Sequence, residues 1–365
     1  MTRALMVSTL AVSLAAQDSR FDVRSRLVVV PVSVTDLKGH SVDGLEASEF
    51  VVLDNGRPQK IAVDTLDTGV APIALVIAVQ ASGISTAALE KVRKIGSMIQ
   101  PIVTGERGCA GLVSFASSVT WLQECSSDAD ALGRAFSKLR PELVPGGDFK
   151  QGRMLDAVRS AVEHLRVRPN ARRVLLLISE SRDRGSEAAL DVVTIAAQGA
   201  GVTVYAATYS AIATGFTSKA PVTPPATTRA PSPKPPSEEA MKTSNGAPPG
   251  PFNPKIPPPE ERVDVLGALH ELSRLGTANT TEVLAKGTGG TTFPFTRQKG
   301  LEDAIQKLGV ELHTQYVISF VPEASAPGYH TLTVRLSRPG EFQVRARPGY
   351  WSTDDVSAAQ NPHNE

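Results

Sequence analysis

Hydrophobic and polar positions follow two different patterns along the chain. From Phe21 to Asp67, apolar residues recur at every second position, most clearly in the alternating valines of residues 28–34. This alternation predicts strands with one buried face. The pair Asn55-Gly56 lies between two such segments and favours a tight hairpin turn. Three or four strands are too few to bury a core, so we expect them to pack on another part of the chain.

The second pattern begins at Ala71, where short apolar runs alternate with segments of helical periodicity. Ile73 to Val79 contains no polar residue, which is typical of a central strand in a parallel sheet. Cys109 to Phe115 and Val119 to Gln123 are joined by a short turn, which makes them antiparallel neighbours. Three further strands are predicted at Val174 to Ile178, Val202 to Ala207 and Thr291 to Phe295. The pattern predicts an α/β fold with a doubly wound, mostly parallel six-stranded sheet that contains one antiparallel strand.

Helices are predicted between these strands, and strands return at the end of the chain. The predicted helices are Ser85 to Val103, Asp130 to Leu139, Gly152 to Val167, Glu187 to Ala200, Val263 to Leu275, Thr280 to Lys286 and Leu301 to His313. The final predicted strands are Gln315 to Val321, Tyr329 to Ser337 and Glu341 to Arg347. Because neither end of the chain can bury a core alone, we expect residues 21–67 and 315–351 to form one β-sandwich-like subdomain beside an α/β domain of residues 71–312.

Three segments are predicted to lie outside the folded core. Arg3 and the uncharged stretch Ala4 to Ala16 predict an export signal at residues 1–16, with a frayed helix as the alternative. Between Pro221 and Pro259 lie 14 of the 27 prolines, so residues 213–261 are predicted to be a flexible insertion, either a linker or a ligand for an aromatic groove. Residues 352–365 form a polar tail. We expect a periplasmic, cell-envelope or secreted protein without membrane insertion, since no later run is long enough to span a bilayer.

Composition and charge exclude several classes of function. The chain has 38 Lys and Arg residues and 37 Asp and Glu residues, so its net charge of +1 gives no reason to expect a nucleic-acid partner. Two cysteines are too few for a four-thiolate zinc site, and the six histidines contain no pair at metal-ligand spacing. Neither a Gly-x-Ser-x-Gly motif nor a phosphate-binding Gly-x-x-x-x-Gly-Lys loop occurs. No catalytic residue is predicted, and we expect the protein not to be an enzyme.

The two cysteines lie at positions that suit a disulfide bond. If the turn between the second and third strands of the sheet centres on Ser117, Cys109 lies opposite Cys125. Opposed Cα atoms in an antiparallel pair are about 4.5–5.5 Å apart, which is within disulfide range. Export favours the bond, and two buried thiols are the alternative.

Several short motifs along the chain match those of a known protein family. In the α/β segment they are the turns Ser82-Gly83 and Ser179-Glu180-Ser181. Towards the chain ends they are VPVSVTD at 30–36, Gly44-Leu45, Phe50, DNGRPQ at 54–59, QYV at 315–317 and RARPGYW at 345–351. In these motifs the chain resembles a bacterial VWFA-related family, of the acidobacterial type, whose members contain a von Willebrand factor type A (vWA) domain. The resemblance spans nearly all of residues 21–351 apart from the Pro-rich insertion. The resemblance implies a vWA fold and a role in adhesion or in binding a protein partner.

The resemblance also implies where a metal-ion-dependent adhesion site would lie. The family pattern has Asp-x-Ser-x-Ser after the first strand of the sheet, a Thr in a later loop and an Asp after the fourth strand. The matching positions in this chain are Gln80, Ser82, Ile84, Gly152 and Glu180. Only the first serine is unchanged. Magnesium and calcium both prefer shells rich in carboxylate oxygens, so these departures favour a protein without a metal cofactor.

Three polar residues lie close to the matching positions in sequence. Ser85 and Asp148 would supply metal ligands only if their loops shifted register, and otherwise they are solvated loop residues. Asp183 precedes a helix for which Ser186 is a candidate cap, and an anion-binding helix start is the alternative for this segment.

Two functions are compatible with these observations. The first is an exported, non-enzymatic binding or adhesion module that contacts a protein partner without a metal ion. Its contacts would lie on the crest, which we define as the loops Gln80 to Ser85, Asp148 to Gly152 and Glu180 to Asp183. The second is a structural scaffold of the cell envelope, in which the β subdomain and the Pro-rich insertion make the contacts.

Overall fold

The computed structural model of the protein describes residues 27–64, 71–84, 86–142, 152–168, 170–209, 279–322 and 327–352. The predictions for the export signal, the Pro-rich insertion, the helix at 263–275 and the tail beyond Ser352 lie outside these residues.

The described elements alternate between strands and helices in the middle of the chain. The strands are β1 (Val28–Asp36), β2 (Phe50–Asp54), β3 (Arg57–Pro58), β4 (Ile61–Asp64), β5 (Ile73–Gln80), β6 (Cys109–Phe115), β7 (Val119–Ser126), β8 (Arg172–Ser179), β9 (Val202–Tyr209), β10 (Thr292–Phe295), β11 (Tyr316–Phe320), β12 (Gly328–Leu336), β13 (Phe342–Arg345) and β14 (Gly349–Ser352). The helices are α1 (Thr86–Lys94), α2 (Gly96–Ile99), α3 (Ala129–Lys138), α4 (Met154–Arg166), α5 (Leu190–Gly199), α6 (Thr280–Thr288) and α7 (Gln298–Thr314).

The largest sheet has six strands in the order β10-β9-β8-β5-β6-β7. Five of them are parallel, and β7 runs antiparallel to β6 at one edge. Every residue of β5 is buried, because this strand is central and the sheet is covered on both faces. Helices α1, α2, α3 and α7 contribute to the core on one face, and α4, α5 and α6 contribute to the core on the other. The predicted doubly wound α/β sheet with one antiparallel strand is confirmed.

The other two sheets form a β-sandwich from the two ends of the described chain. Their strand orders are β13-β1-β11-β4 and β14-β12-β2-β3, and all pairs are antiparallel. The alternating valines of β1 lie in a shared core with Phe50, Ile318 and Leu332. The expectation that N-terminal and C-terminal strands pack together is therefore confirmed. The short strand β14 was not predicted; it pairs with the start of β12.

One predicted helix differs from the structure. The periodicity of residues 85–103 predicts a single helix, but the structure has α1, α2 and a π-helical turn at Gln100–Thr104. Gly96 lies against the ring of Phe136, where an added Cβ would be 2.8 Å from the ring atom Cδ2. Pro101 lies at the start of the π-helical turn and has no backbone N–H to donate. The missing donor fits the change of helical geometry after α2, and Gly96 permits the close approach of α3.

The predicted disulfide bond between Cys109 and Cys125 is confirmed. Their Cα atoms are 5.3 Å apart, and the bond joins β6 to the edge strand β7. The register follows the predicted turn centre close to the turn, where Phe115 pairs with Val119, and then shifts at two irregularities further along. Cys109 and Cys125 are therefore close neighbours across the strands, but the register around them differs from the one that a symmetric turn predicts.

Candidate functional site

The described part of the crest, namely residues 80–84, Gly152 and residues 180–183, lies at the carboxyl ends of the central strands, where open α/β sheets bind their ligands. Gln80 is the last residue of β5, and Glu180 directly follows β8. These two strands are neighbours, with Val79 paired to Ile178. The sheet thus brings together two of the positions that the resemblance assigns to a metal site.

The side chain of Gln80 links the two strand ends. Its Oε1 accepts a hydrogen bond of 3.0 Å from the backbone N–H of Glu180, and its Nε2 donates a bond of 3.2 Å to the carbonyl of Ser82. Gln80 is only 5% exposed. A carboxylate could accept the first bond but could not donate the second, so the amide at this position has a specific structural role.

Glu180 is the one carboxylate at a matching position. Its side chain is 12% exposed, and its Oε2 lies 3.5 Å from Nη2 of Arg184. Tyr209, at the end of β9, lies close enough to Glu180 to feel its charge. Burial raises the pKa of this tyrosine and the negative charge of Glu180 raises it further, so its hydroxyl stays protonated at neutral pH. The charge of Glu180 is therefore balanced within the protein by a guanidinium.

Ser82 and Gly152 lie next to each other beside Gln80. A Cβ built on Gly152 would be 3.5 Å from the Oγ of Ser82 and 3.5 Å from the Nε2 of Gln80, which is ordinary contact distance. The Ser82 hydroxyl is buried and has no hydrogen-bond partner among the described residues. The backbone of Gly152 exchanges hydrogen bonds of 2.7 and 3.1 Å with Arg184, which holds the two loops together.

The remaining matching position does not face the crest surface. Ile84 is buried and belongs to the core under helices α1 and α3. Ser85 and Asp148 lie outside the described residues.

Asp183 is used to tie the crest to the start of α4. Its Oδ1 accepts hydrogen bonds of 3.0 Å from the Leu155 N–H and 2.6 Å from the Ser186 hydroxyl. The Ser186 hydroxyl in turn accepts a bond of 3.2 Å from the Asp156 N–H. The carboxylate of Asp183 thus serves backbone donors in the first turn of the helix, which have no partner within the helix.

Asp156 forms the second half of this connection and was not a candidate from the sequence. Its carboxylate is 6% exposed and accepts bonds of 3.1 and 3.0 Å from the N–H groups of Glu187 and Ala188. The Nε of Arg153 donates a further bond of 2.7 Å. Burial alone would raise the pKa of Asp156, but these donors hold it below its ordinary value.

Comparisons with known proteins locate only distant similarity. No protein-family model matches the chain, and no curated protein matches it. The chain is similar to the structure of BatB from Bacteroides thetaiotaomicron, with 15% identity and a TM-score of 0.38 over 65% of this chain and 99% of that one. It is similar to an aerotolerance-related membrane protein from Bacteroides fragilis, with 13% identity and a TM-score of 0.39 over 66% and 99%. The VWA domain of SpRpn10 is similar over 39% of this chain and 78% of that one, with 15% identity and a TM-score of 0.29.

The strand order of the large sheet, with its single antiparallel edge strand, is the architecture that the sequence motifs imply. The α/β domain is vWA-like. Among the described residues, no helix is long and apolar enough to cross a membrane.

The described residues at the five matching positions do not fit the divalent cation of an adhesion site. Both ends of the Gln80 amide are engaged, Gly152 has no side chain, and Ile84 lies in the core. Among the five matching positions, all of which are described, the Ser82 hydroxyl and the Arg184-paired Glu180 leave a single formal negative charge. No group of three or more His, Cys, Asp or Glu side chains in the described ranges is arranged to hold a metal ion. A hard divalent cation needs more anionic oxygens than this.

Replacing Gln80 with alanine is expected to lower the free energy of unfolding by about 2 kcal/mol, because the buried N–H of Glu180 and the carbonyl of Ser82 lose their partner. Urea denaturation followed by circular dichroism measures this change. The same substitution at Gln306, exposed on α7, is the control and is expected to change stability by less than about 0.5 kcal/mol. Equal stability of the two variants would show that the Gln80 amide does not hold the crest.

Proposed function

We propose that this chain is an exported, non-enzymatic protein-interaction module whose crest binds a partner without a metal ion. One observation carries the proposal. The buried amide of Gln80 occupies the position where the resemblance places the leading metal-binding carboxylate. One of its hydrogen bonds connects the end of β5 to the N–H of Glu180 after β8, and the other holds the carbonyl of Ser82. The crest is thus held in shape by the protein itself.

The acidic residues around the crest support a non-enzymatic role. Asp183 and Asp156 both accept bonds from backbone N–H groups and hold loops to α4. A carboxylate that is engaged in this way is a weak candidate for general acid-base catalysis, which needs a free proton-accepting position beside a substrate.

The disulfide bond supports export. Cys109 and Cys125 are bonded in the structure, and such bonds persist in oxidising compartments. The uncharged stretch Ala4 to Ala16 behind Arg3 has the composition of a secretory signal.

Affinity capture from the native cell envelope tests the proposal. The full chain is expected to capture the same partner in magnesium and in EDTA, and to lose it when Ser82→Ala and Glu180→Ala are combined. A control with the same residue types, Ser48→Ala with Glu341→Ala, lies on exposed positions of the β-sandwich and is expected to retain the partner. Deletion of Pro221 to Pro259 is also expected to retain it, whereas a scaffold role predicts its loss.

Cation binding has a separate measurement. A ligand that binds only the folded state raises the denaturation temperature. Since we propose that no cation binds, about 5 mM magnesium or calcium is expected to leave the denaturation temperature of the wild-type protein as it is in EDTA. A cation-dependent rise that disappears in Glu180→Ala, or capture of the partner only when a cation is present, would contradict the metal-independent proposal.

A further inference from the structure

A cavity of about 760 Å³ opens beside the crest. It lies where β8, β9 and β10 end, and its far side is the first turn of α7. This volume is within the range of about 300–1,000 Å³ that is typical of ligand sites in proteins. Of the five positions that match the metal-site motif, only Glu180 lines this cavity, and Gln80 does not.

The opening of the cavity carries an excess of positive charge. We call its four cationic side chains, Arg182, Arg184, Arg297 and Lys299, the rim; all four are exposed. The cavity is also lined by two carboxylates, Glu180 and Asp303. Four cationic and two anionic side chains give the lining an excess of two positive charges. This excess is local, because the whole chain has a net charge of only +1.

The first turn of α7 adds to the positive potential. This helix has 17 residues, and the side chain of its N-cap residue, Arg297, makes no capping hydrogen bond. The amino-terminal end of a helix carries a partial positive charge, and no acidic residue occupies the first turn of α7. The helix end and the rim therefore act on an anion in the same direction.

The interior of the cavity is more apolar than its opening. Tyr209 and Phe295 are 3% and 5% exposed and pack edge to face, with ring centroids 5.8 Å apart. Both line the cavity beneath the rim. A ligand that combines separated negative charges with a small apolar group matches this lining.

We propose that this cavity binds an acidic peptide segment of a protein partner, with carboxylates on the rim and an apolar side chain against Tyr209 and Phe295. A single phosphate fits less well, because at the start of α7 it would use only the backbone N–H groups and one guanidinium, and would leave the charges of the other loop and the two aromatic side chains without a partner. Here the rim charges come from two separate loops, after β8 and at the start of α7. The inference rests on the proposed function and names the chemistry of the partner.

A displayed library of short random peptides, selected on the full-length protein, tests this assignment. Peptides rich in Asp and Glu are expected to be enriched. The most enriched peptide is expected to bind about tenfold more weakly to Arg297→Gln with Lys299→Gln, since two exposed charge pairs contribute about 1.4 kcal/mol together. The variant Lys60→Gln with Arg166→Gln removes the same charge at exposed positions that do not line the cavity, and is expected to bind like the wild type.

Each alternative outcome overturns the assignment. If acidic peptides are not enriched, or if the rim variant binds the selected peptide as tightly as the wild type does, the cavity does not bind an acidic segment. Binding of inorganic phosphate without selection of acidic peptides would assign the cavity to a phosphate ligand instead. If the peptide result fails while the crest still captures its partner in EDTA, the proposed function stands and only this inference fails. If acidic peptides bind the cavity but the variant Ser82→Ala with Glu180→Ala keeps its partner, the proposed function fails and the peptide assignment stands.

Discussion

Replacing Glu311 with alanine is expected to lower the free energy of unfolding by about 3 kcal/mol, because three donors lose an acceptor at a mostly buried site. The side chain of Glu311 is 14% exposed and lies between the α/β domain and the β-sandwich. Its Oε2 is 2.6 Å from Nη2 of Arg345 on β13, and its Oε1 accepts bonds of 2.7 Å from the Tyr205 hydroxyl and 3.3 Å from the Ser33 hydroxyl. Removing the carboxylate leaves the Arg345 guanidinium without its anionic partner, although it still donates to the Gly289 carbonyl, and leaves the two hydroxyls without this acceptor.

Chemical denaturation, followed by two independent signals, measures the change in the free energy of unfolding. Lys307→Ala, an exposed change on the same helix, is the control and is expected to cost less than about 0.5 kcal/mol. Glu311→Gln keeps an acceptor but loses the charge, so its stability is expected to lie between the wild type and Glu311→Ala. A loss below about 1 kcal/mol for Glu311→Ala would show that the joint is solvated and contributes little.

The polar contacts at this joint extend beyond one carboxylate. Gln315 donates bonds of 3.2 Å to both the Tyr205 hydroxyl and the Ser33 hydroxyl, and its Oε1 accepts a bond of 2.7 Å from Nη2 of Arg172. These contacts connect α/β strands β8 and β9 with β1 and with the turn before β11. The sandwich and the α/β domain therefore share buried polar contacts as well as chain connections, and we expect them to unfold together.

The sequence patterns predicted both layers of the fold but not this joint. Alternating valines identify β1, and an unbroken apolar run identifies β5, because burial on one face or on both leaves a local pattern. Ser33, Tyr205, Glu311 and Arg345 are far apart in the chain and have no common local pattern. Their proximity follows only from the tertiary structure. The close approach of α3 at Gly96 has no local signal for a similar reason, because Phe136 lies on a later helix.

The candidate site shows the same division between local and tertiary information. The sequence identifies Gln80 and Glu180 as departures from a metal-site motif, because motif positions are local. The bond from the Glu180 N–H to the Gln80 amide requires β5 and β8 to be neighbours, which only the fold reveals. Asp156 gave no signal, because an acidic residue in the first turn of a helix is ordinary. Its role depends on residues about 30 positions further along the chain.

Replacing Asp156 with alanine is expected to destabilise the protein by about 3 kcal/mol and to loosen the loop after β8. The substitution leaves the N–H groups of Glu187 and Ala188 and the guanidinium of Arg153 without their shared acceptor. Hydrogen exchange at these two amides is expected to accelerate. Asp130→Ala is the matched control, because Asp130 is an exposed acid in the first turn of α3, and its loss is expected to cost at most about 0.5 kcal/mol.

The dependence of this effect on pH identifies its cause. The pKa of Asp156 is lowered in the folded protein, so its carboxylate stabilises the fold fully above the ordinary Asp pKa of about 3.9. That contribution is lost as the pH falls through the lowered pKa of the folded state, where the carboxylate becomes protonated. The difference in unfolding free energy between the wild type and Asp156→Asn should therefore be constant from pH 7 to about pH 5 and shrink below about pH 4. A difference that stayed constant to the lowest pH at which both proteins fold would mean that the side chain acts through its shape and neutral hydrogen bonding rather than its charge.

The loop after β8, which the Asp156 carboxylate holds in place, carries both Glu180 and Arg184. The charge of Asp156 therefore stabilises the fold and also fixes the position of this part of the crest.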